Sequence, residues 1–411
     1  MKKLANVRSW LAVVGVMLLA SLAACDDRGA PPITPAPAAP GGRVADASRT
    51  PEASVPATPS TGKTVAGAKP GVNTGGATGA ATRTLRALMY SDYIDEALLE
   101  EFEAKSGIAV SITPFEEATA AVAKLQHGAG DSQFDLVVIS HQEVPLLVRQ
   151  GLIRPLDRAR LPNLKNLDPQ FTRVPGDAGN RYSVAYQWGT TGLIYDKSKV
   201  GASAPSWAWL FDPAKQPGRF LLVSEMRDQV GTALLHLGHD VNSTDPEQVK
   251  RAGQLLAQAK RSPKCEGIGD AVENVKKVIS GAADVAVVWN GDALRLIAEE
   301  KAQGRVAFAV PEAGAVAWVD VMGVPAKAPD AEAAHRFMDF LLEPKVGARL
   351  SNFTRFASPN QAAKPHIAPE DLANPAMYPP DAVRAKLAFL AEVGQAAGLY
   401  DEVWTAVSAA Q

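Results

Sequence analysis

Aromatic and acidic side chains recur together where short apolar runs end. Tyr90, Asp92 and Tyr93 close the run that starts at Thr84. Trp289 closes the run from Val285, with Asp292 three residues on. Trp318 and Asp320 form a third group, and Phe356 lies further along. Carboxylates accept charge-assisted hydrogen bonds from ammonium groups and offset the cost of stripping their water. Aromatic rings pack against methylene chains and attract cations through their faces. Tyr90, Tyr93, Trp289, Trp318 and Phe356 could wall an elongated organic cation, with Asp92, Asp292 and Asp320 as its counter-ions. Two of these acids also have a plainer role: Asp92 could cap a helix and Asp320 could be an ordinary loop acid.

The usual constellations of an enzyme are missing. A nucleophile held by a base, or a filled metal site, is the usual requirement. The chain has no G-x-S-x-G elbow and no H-E-x-x-H. Gly62-Lys63-Thr64 resembles the end of a phosphate loop, but Ala57 stands where a glycine is needed and no strand precedes it. His236 and His239 could share a helix face, yet two imidazoles without a third ligand make a poor metal site. No catalytic residue, metal or cofactor is therefore assigned. The chain has 42 Lys and Arg against 44 Asp and Glu, with no basic stripe, so nucleic acid is not an expected partner.

The elements that must position these residues alternate between strand and helix. Thr84–Tyr90 reads as a strand. Asp95 can cap a helix with Leu98, Leu99 and Phe102 on its apolar face, and Gly107 can end it. Ile108–Ile112 reads as a strand, Ala118–Leu125 as a helix, and Phe134–Ile139 and Val285–Trp289 as buried strands. Thr244-Asp245-Pro246-Glu247 reads as a capping-box start for a helix with Val249, Ala252, Leu255 and Leu256 on one side. Such alternation predicts an α/β fold of parallel-dominated sheets flanked by helices. Ligands of such sheets gather at the carboxyl ends of strands, where the aromatic and acidic groups fall.

A series of motifs then becomes specific. It runs Tyr90-Ser91-Asp92-Tyr93-Ile94, Phe134-Asp135-Leu136-Val137-Val138 leading to Ser140, and Asn166-Leu167-Asp168-Pro169. It continues with Tyr186-Gln187-Trp188-Gly189-Thr190-Thr191-Gly192, Trp289-Asn290-Gly291-Asp292, Trp318-Val319-Asp320 and Tyr378-Pro379-Pro380. In order and spacing, from about 84 to 405, this series resembles the spermidine/putrescine-binding periplasmic proteins of ABC importers. The resemblance implies a two-lobed clamshell, with the chain crossing between lobes near Thr190–Thr191 and again near Trp318–Asp320. Lobe one would comprise 84–190 and 319–365, and lobe two 191–318 and 366–411. It also implies a polyamine ligand, permease subunits as partners, a monomer, and binding by Ser91 and Ser140. Ser140 follows a strand and would give a hydrogen bond to an ammonium.

Aligned on Leu237-Gly238, the resemblance puts Glu225 and Asp228 on the family's two acidic ligand positions. Aligned on Val230, it would put Met226 and Gln229 there instead. The first register keeps 221–238 ungapped and supplies the anions. Both acids could also be first-turn charges favoured by a helix dipole. The chain departs from the family pattern at Tyr90, usually Trp, at Gln142, where spermidine binders have Tyr, and near Leu390, where they have Gln. Asp292 is the putrescine-type residue, whereas Glu225 and Trp318 look more like the spermidine type. Putrescine is placed first among ligands, with spermidine close behind. A polyamine sensor that reports to a membrane signalling partner would show the same site.

The first 25 residues add an expectation of export. Lys2, Lys3 and Arg8 precede a run of about 15 apolar residues, short for a spanning helix and suited to a cleaved signal over 1–24. Leu22-Ala23-Ala24-Cys25 resembles a lipobox, which would acylate Cys25, and Asp26 resembles an inner-membrane retention signal. The protein is thus expected in the periplasm, anchored to the membrane. Residues 25–83, rich in Pro, Ala, Gly and Thr, would form a disordered tether. As a coil of roughly 55 residues it would span on the order of 40 Å. Cys265, the only other cysteine, is expected to be a free packing residue.

Overall fold

The computed structural model describes residues 83–127, 133–172, 176–177 and 179–411. The signal, Cys25, residues 26–82 of the tether and Gly62-Lys63-Thr64 lie outside the described residues; Arg83, expected to end the tether, instead opens the first strand, paired with Ile108. Ten strands are present among the described residues: β1 Arg83–Tyr90, β2 Ile108–Phe115, β3 Leu136–Ser140, β4 Ser183–Asp196 and β5 Phe220–Val223, then β6 Cys265–Gly269, β7 Val285–Trp289, β8 Val306–Ala309, β9 Ala315–Gly323 and β10 Leu387–Phe389. Their order is β2-β1-β3-β9-β4-β7-β5-β6, with β8 beside β4 and β10 beside β9.

The fold is α/β, a sheet with helices between its strands, as the alternation in the sequence predicts. β1 pairs parallel with β2 and β3, and β5 pairs parallel with β6 and β7. The shared strands depart from this rule: β9 runs antiparallel to β3 and β4, and β4 runs antiparallel to β7. β4 is long enough to serve both halves of the sheet. Ser183–Thr190 pairs with β9, and Thr191–Tyr195 pairs with β7.

Burial follows the apolar pattern. On one side Leu85, Met89, Leu98, Phe102 and Phe337 pack together. On the other, Trp207, Phe220, Val230, Leu256 and Tyr400 form a second core. Each such side chain contributes roughly 1.5–3 kcal/mol when taken from water. Asp95 accepts from the Ala97 amide at the start of the helix Glu96–Ser106, and Gly107 ends it at φ 70°. Among the described residues, no helix is long and apolar enough to cross a membrane.

Two local expectations are corrected. The helix Pro246–Lys260 is capped by Asp245, whose carboxylate accepts from the Glu247 and Gln248 amides, with Pro246 in the first turn. Thr244 therefore caps nothing, because proline at the first helical position moves the cap one residue on. Asp245→Ala is expected to cost about 1 kcal/mol, read as a lower urea midpoint at unchanged slope. His236 and His239 do not share a helix face: the helix Met226–His236 ends first, and Gly238 turns the chain at φ 78°. The His236 ring lies against Phe211. Cys265 is a free, partly buried thiol packed on the second core.

Candidate functional site

One cavity of about 790 Å³, counting its open mouth, collects the ends of several strands. Tyr90 ends β1, and the turn after it carries Ser91, Asp92 and Tyr93. Asp92 adopts φ 52°, a left-handed conformation uncommon for a residue with a side chain, and it caps no helix, since Asp95 has that role. Ser140 ends β3 directly beside Asp320 on β9. Trp289 ends β7, and Asp292 follows in the first turn of the helix Asn290–Glu299. Glu225 and Asp228 stand at the start of the helix Met226–His236, and Phe356 follows the helix Pro344–Thr354. All twelve residues picked from the sequence line this one cavity.

Met226 and Gln229 do not. Met226 packs on the core, and the Gln229 side chain accepts from the Val223 amide at 2.8 Å, fixing the end of β5. Six lining residues lay outside the set: Glu116, Ala118, Gln142, Asp270, Val272 and Leu390. Glu116 follows β2 and Asp270 follows β6, so both obey the strand-end rule. Asp270 also caps the helix Ala271–Ser280.

The aromatic walls are edge-packed. Trp318 meets Phe356 at 5.0 Å between ring centres and Trp289 at 6.4 Å, and Tyr93 meets Phe356 at 5.6 Å. Glycines permit this closeness. A methyl group on Gly189 would lie 2.5 Å from the Trp318 ring, and one on Gly291 would lie 2.4 Å from the Phe356 ring. Asn290 sets the helix beside them: its side chain accepts from the Thr190 amide and donates to the Ala376 carbonyl.

Seven carboxylates line the cavity: Asp92, Glu116, Glu225, Asp228, Asp270, Asp292 and Asp320. Among the described residues, no basic side chain lines it. Asp320 is buried and accepts from the Tyr93 hydroxyl at 2.5 Å; burial pushes its pKa up to about 7. Burial also lifts Asp292 to about 7, although Arg295 lies 3.7 Å away and its side chain keeps 14% exposure. Asp228, lifted to about 6 by burial, accepts from the Thr191 hydroxyl and from the Trp289 indole at 3.3 Å. Glu225 rises to about 8, first from burial and then from the charge of Asp228. Each shift means that burial in the cleft opposes ionisation. A bound cation would relieve that opposition.

Among the described residues, no group of three or more His, Cys, Asp or Glu is arranged to hold a metal ion. The arrangement is suited to hold a cation with an apolar body.

Comparison with known proteins agrees with this chemistry. Residues 97–379 match the model of the bacterial extracellular solute-binding proteins. The putrescine-binding periplasmic protein PotF of Escherichia coli strain K12 is 34% identical over 341 residues, 79% of this chain and 90% of the relative. The spermidine/putrescine-binding periplasmic protein 1 of Haemophilus influenzae is 30% identical, over 82% of this chain and 91% of the relative. The solved structure of the TpPotD lipoprotein of Treponema pallidum superimposes with a TM-score of 0.70 at 25% identity, covering 79% of this chain and 99% of that one.

Proposed function

We propose that this chain, which belongs to the bacterial extracellular solute-binding protein family, captures polyamines between its two lobes as the periplasmic component of an ABC importer. The observation that carries this reading is the cavity itself. Among the described residues it combines seven carboxylates and no basic side chain with the rings of Tyr90, Tyr93, Trp289, Trp318 and Phe356. An amino acid would bring a carboxylate into that field, and a sugar would leave the acids without counter-charge. The polyamine ligands in the names of the Escherichia coli and Haemophilus relatives support the same choice.

In this reading Asp92, Asp292, Asp320, Glu225 and Asp228 pair with ammonium groups. Ser91 and Ser140 add hydrogen bonds, and the rings pack on the methylenes. The lobes divide at Thr190–Thr191 and near Trp318–Asp320, as the resemblance implies, so closure would bring the helices starting at Met226 and Asn290 toward the Tyr90–Tyr93 turn. The cavity carries out no reaction on its ligand. Cys25 would be acylated and tether a monomer to the membrane from which it serves the permease subunits. The Treponema structure, a lipoprotein by name, supports that anchor.

A thermal-shift screen of purified protein against putrescine, spermidine, amino acids and sugars tests the proposal. A ligand that binds only the folded state raises Tm with its concentration, by about 2.7 kcal/mol of stability at a hundred times Kd. Polyamines are expected to raise Tm and the other classes to leave it in place. No response to any polyamine would overturn the reading.

A further inference from the structure

We propose that the edge of the sheet opposite the cavity is a docking surface for an anionic phospholipid membrane. This goes beyond the polyamine reading above and does not depend on it. β1, β3 and β4 begin at this edge and β9 ends there: Leu136 pairs with Ala87, and Gly323 pairs with both Val137 and Ser183. The cavity lies at the far ends of β1 and β3, with Tyr90 and Ser140. Contacts join six exposed arginines along the edge. Arg83 and Arg160 reach Glu332 at 3.7 and 3.8 Å. Arg158 donates to the Gly179 carbonyl at 2.6 Å. The Arg181 carbonyl accepts from the Leu156 amide, and the Arg154 amide donates to the Val324 carbonyl. Arg336 stands one turn after Glu332 on the helix Ala331–Leu341, whose His335 accepts from the Asp157 amide.

The acids at this edge are already matched. Arg83 holds Asp330 at 2.5 Å, and Arg160 holds Asp157 at 3.1 Å. Buried Asp135 accepts from the Arg86 guanidinium and the Asp330 amide. Buried Asp177 accepts from the amides of Arg181, Tyr182 and Ser183. Arg154, Arg158, Arg181 and Arg336 form no ion pair among the described residues, and the Arg181 guanidinium lies over the Tyr182 ring at 5.3 Å. Guanidinium groups meet phosphate oxygens in paired hydrogen bonds. The place where the chain enters the fold selects a membrane over a soluble polyanion. Residues 26–82 join this edge, at Arg83, to Cys25, the expected anchor. An anchor there keeps this edge, not the cavity, nearest to lipid and concentrates headgroups around it. The seven carboxylates of the cavity do not cancel the arginines. β1 is eight residues long, so the two ends lie roughly 25 Å apart, several Debye lengths at physiological salt. The net charge of −2 therefore hides an acidic end and an arginine-rich end. Docking by this edge turns the cavity away from the lipid, toward arriving ligand.

Sedimentation with vesicles tests the surface, using the mature chain from residue 25 with Cys25→Ser so that no acyl chain contributes. Vesicles of phosphatidylglycerol mixed with phosphatidylcholine are expected to bind it at least about tenfold more tightly than phosphatidylcholine alone, with the preference lost in high salt. Arg154→Gln, Arg158→Gln and Arg181→Gln are each expected to lower that binding roughly fivefold, and the three together to remove the preference. Arg154→Lys, Arg158→Lys and Arg181→Lys together keep the charge and should keep most of the binding, which separates lost charge from lost folding. Arg251→Gln with Lys276→Gln removes two exposed charges from the helices Pro246–Lys260 and Ala271–Ser280 and should leave binding unchanged. Equal partition onto both kinds of vesicle, a triple glutamine variant that binds like its parent, or an equal loss from the Arg251 and Lys276 changes would overturn the docking surface. So would self-association through this edge in place of vesicle binding.

Discussion

Asp320→Asn is expected to weaken diamine binding by roughly 2–5 kcal/mol, and Asp292→Asn to do the same toward the lower end of that range. Asparagine keeps the shape of aspartate but not its charge, so an ammonium in the closed cleft would lose its counter-ion. Asp320 should matter more. It is buried, and its side chain accepts from the neutral Tyr93 hydroxyl. Asp292 keeps some solvent contact and has Arg295 nearby, which already offsets part of its field. Calorimetry at pH 8, where both carboxylates are ionised, reads the effect cleanly. Near-wild-type affinity in both variants would contradict their assignment as counter-ions.

Affinity should also fall steeply in acid. Burial lifts Asp292 and Asp320 to about 7 and Glu225 to about 8. A bound ammonium favours the ionised acids, so binding near pH 6–7 must expel protons. For each carboxylate whose pKa without bound amine is near 7, affinity should drop roughly a hundredfold between pH 8 and pH 5. The amines stay protonated throughout that window. Stability carries the matching sign. A carboxyl group normally titrates near 4 in the unfolded chain. Raised in the folded state, it adds stability that is full below about pH 4 and lost as pH rises through about 7. Polyamine should therefore raise Tm more at pH 8 than at pH 5. Titrations in two buffers of different ionisation heat would expose the released protons, and a pH-independent affinity would contradict the account.

Much of this was legible in the residues because burial and punctuation agree. The Phe134–Ile139 and Val285–Trp289 runs are apolar on both faces, and Leu136–Ser140 and Val285–Trp289 are the strands formed. Asp95 and Gly107 mark their helix because one supplies an acceptor and the other a left-handed turn. Glu116 and Asp270 were hidden for physical reasons. The second strand reads as ending at Ile112 because Pro114 follows. β2 nevertheless continues to Phe115, since it is an edge strand and proline's missing donor costs no ladder bond there. Glu116 thus stands at a strand end that the sequence conceals. β6 is Cys-Glu-Gly-Ile-Gly, two glycines and one acid among five residues, with no apolar period to betray it; Asp270 was lost with it. The double duty of β4 is tertiary. Gly189 permits the Trp318 ring to close in, and no local pattern announces that partner. Glu225 and Asp228 needed the family register, because an acid in a first helical turn looks the same whether it faces solvent or a cleft.

The most direct measurement is a crystal structure of the protein grown with spermidine. The account predicts one extended amine in the cavity, with nitrogens within hydrogen-bonding distance of Asp292 and Asp320 and its methylenes against Trp289, Trp318 and Tyr93. Spermidine bound elsewhere on the molecule with this cavity empty, or an amine whose nitrogens avoid those carboxylates, would contradict it.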